Sequence, residues 1–153
     1  MQLKEIFNGK VLLVGVGNTL KGDDSIGPVF ITRCLLKNVK CGLLNAGISP
    51  ENFINKIVNS DFDTVVFVDS VEMNEPPGTF KIFSPEEISN NSISTHNTSF
   101  KIFFEYISLQ RPKMKLWLIG IQPKSLNFGE EISKEVNESI NKLVEEIKEL
   151  CTN

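Results

Sequence analysis

The chain has 153 residues and a mass of 17.2 kDa, which fits one well-cored domain spanning residues 1–153. Its 41% hydrophobic and 23% charged content is that of a globular protein, and 16 basic against 19 acidic residues leave a net charge of -3. That balance excludes a nucleic-acid binder driven by bulk electrostatics, no apolar run is long enough for a membrane helix, and MQLKEIFNGK lacks the pattern of a signal peptide.

In chain order, Val11–Val16 is a continuous aliphatic run, the mark of a strand covered on both faces. Gly17-Asn18 ends it. From about Ser25 to Lys37 the apolar residues Ile26, Val29, Phe30 and Cys34 fall at helical spacing, with Pro28 tolerable only near the first turn. Residues 41–46 read as a short second strand. Ser49-Pro50 then opens a helix whose apolar face is Phe53, Ile54, Ile57 and Val58. Residues 63–70, DTVVFVDS, are the clearest buried strand. A Glu75-Pro76-Pro77-Gly78 turn leads into a short strand over 79–83 and a capped turn or short helix at Ser84–Glu87. Ser94-Thr95-His96-Asn97 precedes a helical stripe of Phe100, Phe103, Phe104 and Ile107. Residues 116–121 form the last strand, and an amphipathic helix runs from about Glu130 to Leu150.

Alternating strands and helices specify a three-layer α/β/α sandwich around a five-stranded, mostly parallel mixed twisted sheet. The 79–83 strand follows its predecessor through a turn and is expected antiparallel at an edge. Cys34, Cys41 and Cys151 form no CxxC pair and read as free, buried thiols in a reducing cytoplasm, which sets aside zinc fingers and cysteine proteases. The acidic terminal helix shows no obligate interface, so a monomer is expected.

In such folds ligands gather beyond the carboxyl ends of the strands, and three loops place polar groups there. The Gly15–Gly27 segment invites a dinucleotide-binding reading, but the third glycine of G-x-G-x-x-G would fall at Leu20. The adjacent Asp23 and Asp24 would also repel a pyrophosphate. As a pair they read as helix caps, with room for one to cap while the other faces the cleft. Asp69 ends a buried strand, where a carboxylate is costly unless hydrogen-bonded or bound to a cation. His96 is the chain's single histidine. Converging, Asp24, Asp69 and His96 would suit a divalent transition metal. Gly15, Gly17 and Gly47 read as tight turns needing positive φ.

The run GVGNTLKGDDSIG resembles the G-x-G-N-x-L-x-x-D-[DE]-x-x-G signature of the hydrogenase maturation endopeptidases. The resemblance continues through VVFVDSVEMNEPPGTFKIF, ISTHNTSF and LWLIGIQPKSLNFGEEIS, in order, from Val11 to Ser133. The THN and GIQP forms are similar to the branch serving formate-hydrogenlyase and methanogen hydrogenases. The family's metal-contacting residues carry over to Asp24, Asp69 and His96, and its fold is an α/β/α sandwich. The implied activity is a single cut, after a His or Arg, that removes the C-terminal extension of the [NiFe]-hydrogenase large-subunit precursor once nickel is inserted. The nickel would be supplied by that precursor, the reaction cytoplasmic, and Asp24, Asp69 and His96 catalytic. Asn18 would be placed to donate to the substrate backbone. No HExxH or GxSxG occurs to suggest another hydrolase. The alternatives are an assembly factor that binds nickel or the precursor without cutting it, and a small-ligand or nucleotide-binding α/β domain.

Overall fold

The computed structural model describes residues 1–90 and 100–152. Its strands are β1 (Val11–Val16), β2 (Gly42–Gly47), β3 (Thr64–Ser70), β4 (Phe80–Phe83) and β5 (Lys115–Ile121). Its helices are α1 (Leu3–Ile6), α2 (Ile26–Leu36), α3 (Ile54–Val58), α4 (Pro85–Asn90), α5 (Phe100–Gln110) and α6 (Lys134–Leu150), with 3-10 turns at Gly22–Ser25 and Pro50–Phe53. The strands form one five-stranded sheet in the order β2-β1-β3-β5-β4, parallel except for the β4–β5 pair. The expected mostly parallel mixed sheet is therefore present. The short edge strand is antiparallel as expected, but it pairs with β5, because β5 enters between it and its predecessor β3.

β1 and β3 are buried along their whole length, and the strand period of two divides their side chains between two cores. Val11, Leu13, Val66, Val68, Ile119 and Ile121 pack with α2 and α6 through Ile26, Phe30, Ile140, Leu143 and Ile147. Leu12, Val14, Val65, Phe67, Leu116 and Leu118 pack on the other face with Ile57, Ile88 and the phenylalanines of α5. Phe67 meets Phe100 edge-on with ring centroids 5.5 Å apart, which fixes the start of α5 against the strand that carries Asp69.

β1 and α2 approach unusually closely. A Cβ on Gly15 would stand 2.3 Å from the carbonyl oxygen of Gly27, so close contact requires this glycine, whereas Gly47 has the expected positive φ of 58°. The positive-φ expectation thus holds for Gly47 and for Gly17, at 151°, but does not account for Gly15.

The cysteine expectation is corrected. Cys41 and Cys151 are disulfide-bonded across 110 residues of sequence, with Cα atoms 5.6 Å apart, and only Cys34 is free. α6 brings its carboxyl end beside the entrance to β2, a juxtaposition with no local sequence signal. The argument for a reducing compartment loses its support with this bond. Cys34 is fully buried, and burial pushes its thiol up to about 12, so it packs as an apolar residue. Among the described residues, no helix is long and apolar enough to cross a membrane.

The Cys41–Cys151 bond closes a long loop and so constrains the unfolded chain. Reduction, or Cys41→Ser, is expected to lower the unfolding free energy by about 3–4 kcal/mol. Urea unfolding with and without reductant checks this, and Cys41→Ser should be indifferent to reductant.

Candidate functional site

The chain leaves β1 toward β2 on one side of the sheet and returns to place β3 on the other. Loops from the carboxyl ends of β1 and β3 therefore diverge and leave a crevice between them, the position where ligands bind in open α/β sheets. Asp24, in the 3-10 turn after β1, and Asp69, at the end of β3, stand at these carboxyl ends, and they are 1% and 2% exposed.

Ser70 joins the two acids. Its hydroxyl donates to Asp24 Oδ1 at 3.2 Å, and its backbone N–H donates to Asp69 Oδ1 at 2.7 Å. The Asn18 N–H lies 3.3 Å from Asp24 Oδ2 and 3.0 Å from the Asp24 carbonyl oxygen. Burial pushes the Asp69 carboxyl well above the usual carboxylate range, the Ser70 N–H opposes that rise, and the charge of Asp24 adds to it. Two buried carboxylates joined through one serine, Asp24 by its hydroxyl and Asp69 by its backbone N–H, form a site that either retains a proton or accepts a cation. Hard oxygen donors of this kind suit a divalent cation. His96 lies outside the described residues, as do Ser94, Thr95 and Asn97; among the described residues, no three of His, Cys, Asp and Glu gather as a ligand set.

Asp23 departs from the helix-capping expectation. It is 1% exposed and turns away from its own helix toward the loop between β5 and α6. Its Oδ2 accepts from the Lys124 N–H at 2.8 Å, the Ser125 N–H at 3.2 Å and the Ser133 hydroxyl at 2.8 Å, while Oδ1 accepts from the Ser133 N–H at 2.7 Å. Ser133 is the N-cap of α6, so this contact also explains why the helix begins at Lys134 rather than near Glu130. Helix α2 follows a 3-10 turn with no side-chain cap.

Two further residues carry roles that sequence reasoning missed. Ser70 is one; its position directly after an acid that ends a strand was the available signal. Gln122 is the other, one residue past β5 and 4% exposed. Its Oε1 accepts from the Met73 N–H at 2.6 Å, and its Nε2 donates to Glu72 Oε2 at 2.6 Å and to the Pro123 carbonyl at 3.1 Å. This single amide shapes the loop that leaves β3 after Asp69. Asn18 Oδ1 accepts from the Leu20 N–H at 2.9 Å, within its own turn.

A model of the hydrogenase maturation protease family matches residues 31–150, a range that includes Asp69 and His96 and begins after Asp24. A putative hydrogenase maturation protease of Methanocaldococcus jannaschii is 30% identical, aligning 92% of this chain with 90% of its own. The hydrogenase 3 maturation protease of Escherichia coli K12 is 24% identical over 90% of this chain and 88% of its own. Among solved structures, the [NiFe] hydrogenase maturation protease HycI of Thermococcus kodakarensis superimposes with a TM-score of 0.86 at 32% identity, covering 99% of each chain.

An acid whose folded pKa is raised holds its proton more tightly in the native state than in the unfolded one. Its stabilising effect is complete below the unfolded value and is lost as pH rises through the folded one. For chelator-treated protein, the urea midpoint should therefore fall more as pH rises above about 4 in wild type than in Asp69→Asn. Parallel pH profiles for the two proteins would show that Asp69 titrates normally.

Proposed function

Because the chain belongs to the hydrogenase maturation protease family, and is with its named relatives a hydrolase of peptide bonds, we propose that it cleaves the C-terminal extension from a [NiFe]-hydrogenase large-subunit precursor that already carries nickel. The observation that supports this most is the buried pair of carboxylates, Asp24 and Asp69, bridged by Ser70 at the crevice between β1 and β3. A buried, oxygen-rich recess in which, among the described residues, no lysine or arginine pairs with Asp69 gains most from a cation brought by the substrate.

In this reading the nickel is part of the substrate, held by the precursor's own cysteines. Asp24 and Asp69, with His96 as the third donor, approach that metal and hold the scissile peptide beside it. The cation polarises the peptide carbonyl, as a Lewis acid does. One of the two carboxylates positions and deprotonates the attacking water. Burial pushes the Asp69 carboxyl above the usual carboxylate range, a direction that favours its taking up the proton. The water oxygen bonds to the carbonyl carbon, the C–N bond breaks, and the proton passes to the leaving amine. The protein acts in this account in the cytoplasm and as a monomer.

The same recess serves the non-proteolytic alternative, in which the chain binds the nickel-loaded precursor without cutting it. A processing assay read by mass separates the two. Mixed with nickel-loaded, C-terminally extended large subunit from the same organism, the protein should release one defined peptide, and metal-free precursor should stay intact. Asp24→Asn and His96→Ala should each lower the rate at least about 100-fold. Stable binding with no change of mass would establish the alternative.

A further inference from the structure

The loop between β3 and β4 carries an acid whose orientation is fixed without any ion pair. Glu72 is exposed, yet its Oε2 is held at 2.6 Å by the buried amide of Gln122. That amide is itself immobile: its Oε1 accepts from the Met73 N–H at 2.6 Å, and the Gln122 backbone pairs with Thr79 and Gly78. An exposed glutamate normally samples several rotamers. Here the buried donor favours one of them, while the residue itself stays exposed.

Position and charge give this arrangement a meaning. Asp69 lies opposite Gly120 in the β3–β5 register and Ser70 opposite Ile121, so Gln122 and Glu72 stand just beyond the same sheet edge that presents Asp69. Glu72 is three positions after Asp69, so their Cα atoms are at most about 11 Å apart. The lysines on adjoining segments are already engaged: Lys81 on β4 pairs with Glu75 at 2.8 Å, and Lys124 with Glu135 at 3.1 Å. Among the described residues, no lysine or arginine is paired with Glu72. The loop thus keeps one of its two acids neutralised and the other preorganised and open.

We infer that Glu72, oriented by Gln122, is a specificity-determining residue that receives a cationic side chain of the substrate peptide next to the scissile bond. The inference rests on the proteolytic reading of the crevice and adds to it the side chain that selects the peptide. A carboxylate held in place by a neutral amide donor keeps its full charge for the ligand. It also binds a guanidinium or imidazolium with less ordering cost than a free glutamate. Gln122 is in this account a positioning residue, acting through Glu72 and the backbone of Met73.

The test is steady-state processing of the nickel-loaded precursor by wild type and Glu72→Gln, which keeps an acceptor for Gln122 and removes the charge. KM is expected to rise about tenfold with kcat changed less than about twofold, and the salt dependence of KM should weaken. The released peptide locates the cut, and replacing the basic residue beside it by Gln should raise the wild-type KM comparably and make Glu72→Gln silent. A KM for Glu72→Gln within about twofold of wild type would overturn the subsite while leaving the protease intact, as would an undiminished effect on the neutral substrate. Wild-type protein that cuts no precursor would overturn the proteolytic reading and this subsite with it.

Discussion

Asp23 receives four donors from a segment a hundred residues away, and the arrangement of the crevice depends on that contact. Its carboxylate takes the backbone N–H groups of Lys124, Ser125 and Ser133 and the Ser133 hydroxyl, while its own N–H donates to the Ser125 carbonyl. A buried carboxylate so supplied is stabilised rather than strained, because its lost hydration is replaced by fixed dipoles. The turn Gly22–Ser25 is thereby tied to the loop after β5 and to the first residue before α6. With one acid of the pair committed to architecture, the next residue in the chain, Asp24, is delivered to the crevice.

Everything else at the site follows from where the strands end. β1 and β3 are neighbours whose following loops separate, and α2 packs closely on β1 through Gly15 and Gly27. Ser70 then measures the spacing between Asp24 and Asp69, and Gln122 sets the wall formed by the β3–β4 loop. The aromatic contact of Phe67 with Phe100 ties the start of α5 to the same strand. Family membership agrees with this plan, since the Thermococcus protease superimposes over 99% of the chain.

Much of the fold was legible because burial writes a local pattern. The aliphatic runs at Val11–Val16 and Thr64–Ser70 could only be strands covered on both faces, and α6 showed a clean apolar stripe. Contacts between distant segments left no such trace. The Cys41–Cys151 bond joins residues 110 apart, and α6 starts at Lys134 because Asp23 binds Ser133. At the site, the strand-edge rule and the family signature both selected Asp24 and Asp69, and Ser70 contacts both carboxylates. His96, selected with them, lies outside the described residues. The division of labour between Asp23 and Asp24 could not be read, because two adjacent aspartates look alike until the partner of each is known. Gln122 was visible only as part of a motif, since its role lies in backbone donors of another loop.

The central claim is that these adjacent acids do different work, and it is tested most directly by measuring unfolding free energy and precursor cleavage for Asp23→Asn and Asp24→Asn together. Asp23→Asn should lose about 3 kcal/mol of stability, because an amide presents its own N–H groups to three backbone donors. Asp24→Asn should lose clearly less stability than Asp23→Asn and cut nickel-loaded precursor at least about 100-fold more slowly than wild type. A stable Asp23→Asn together with a fully active Asp24→Asn would contradict the account.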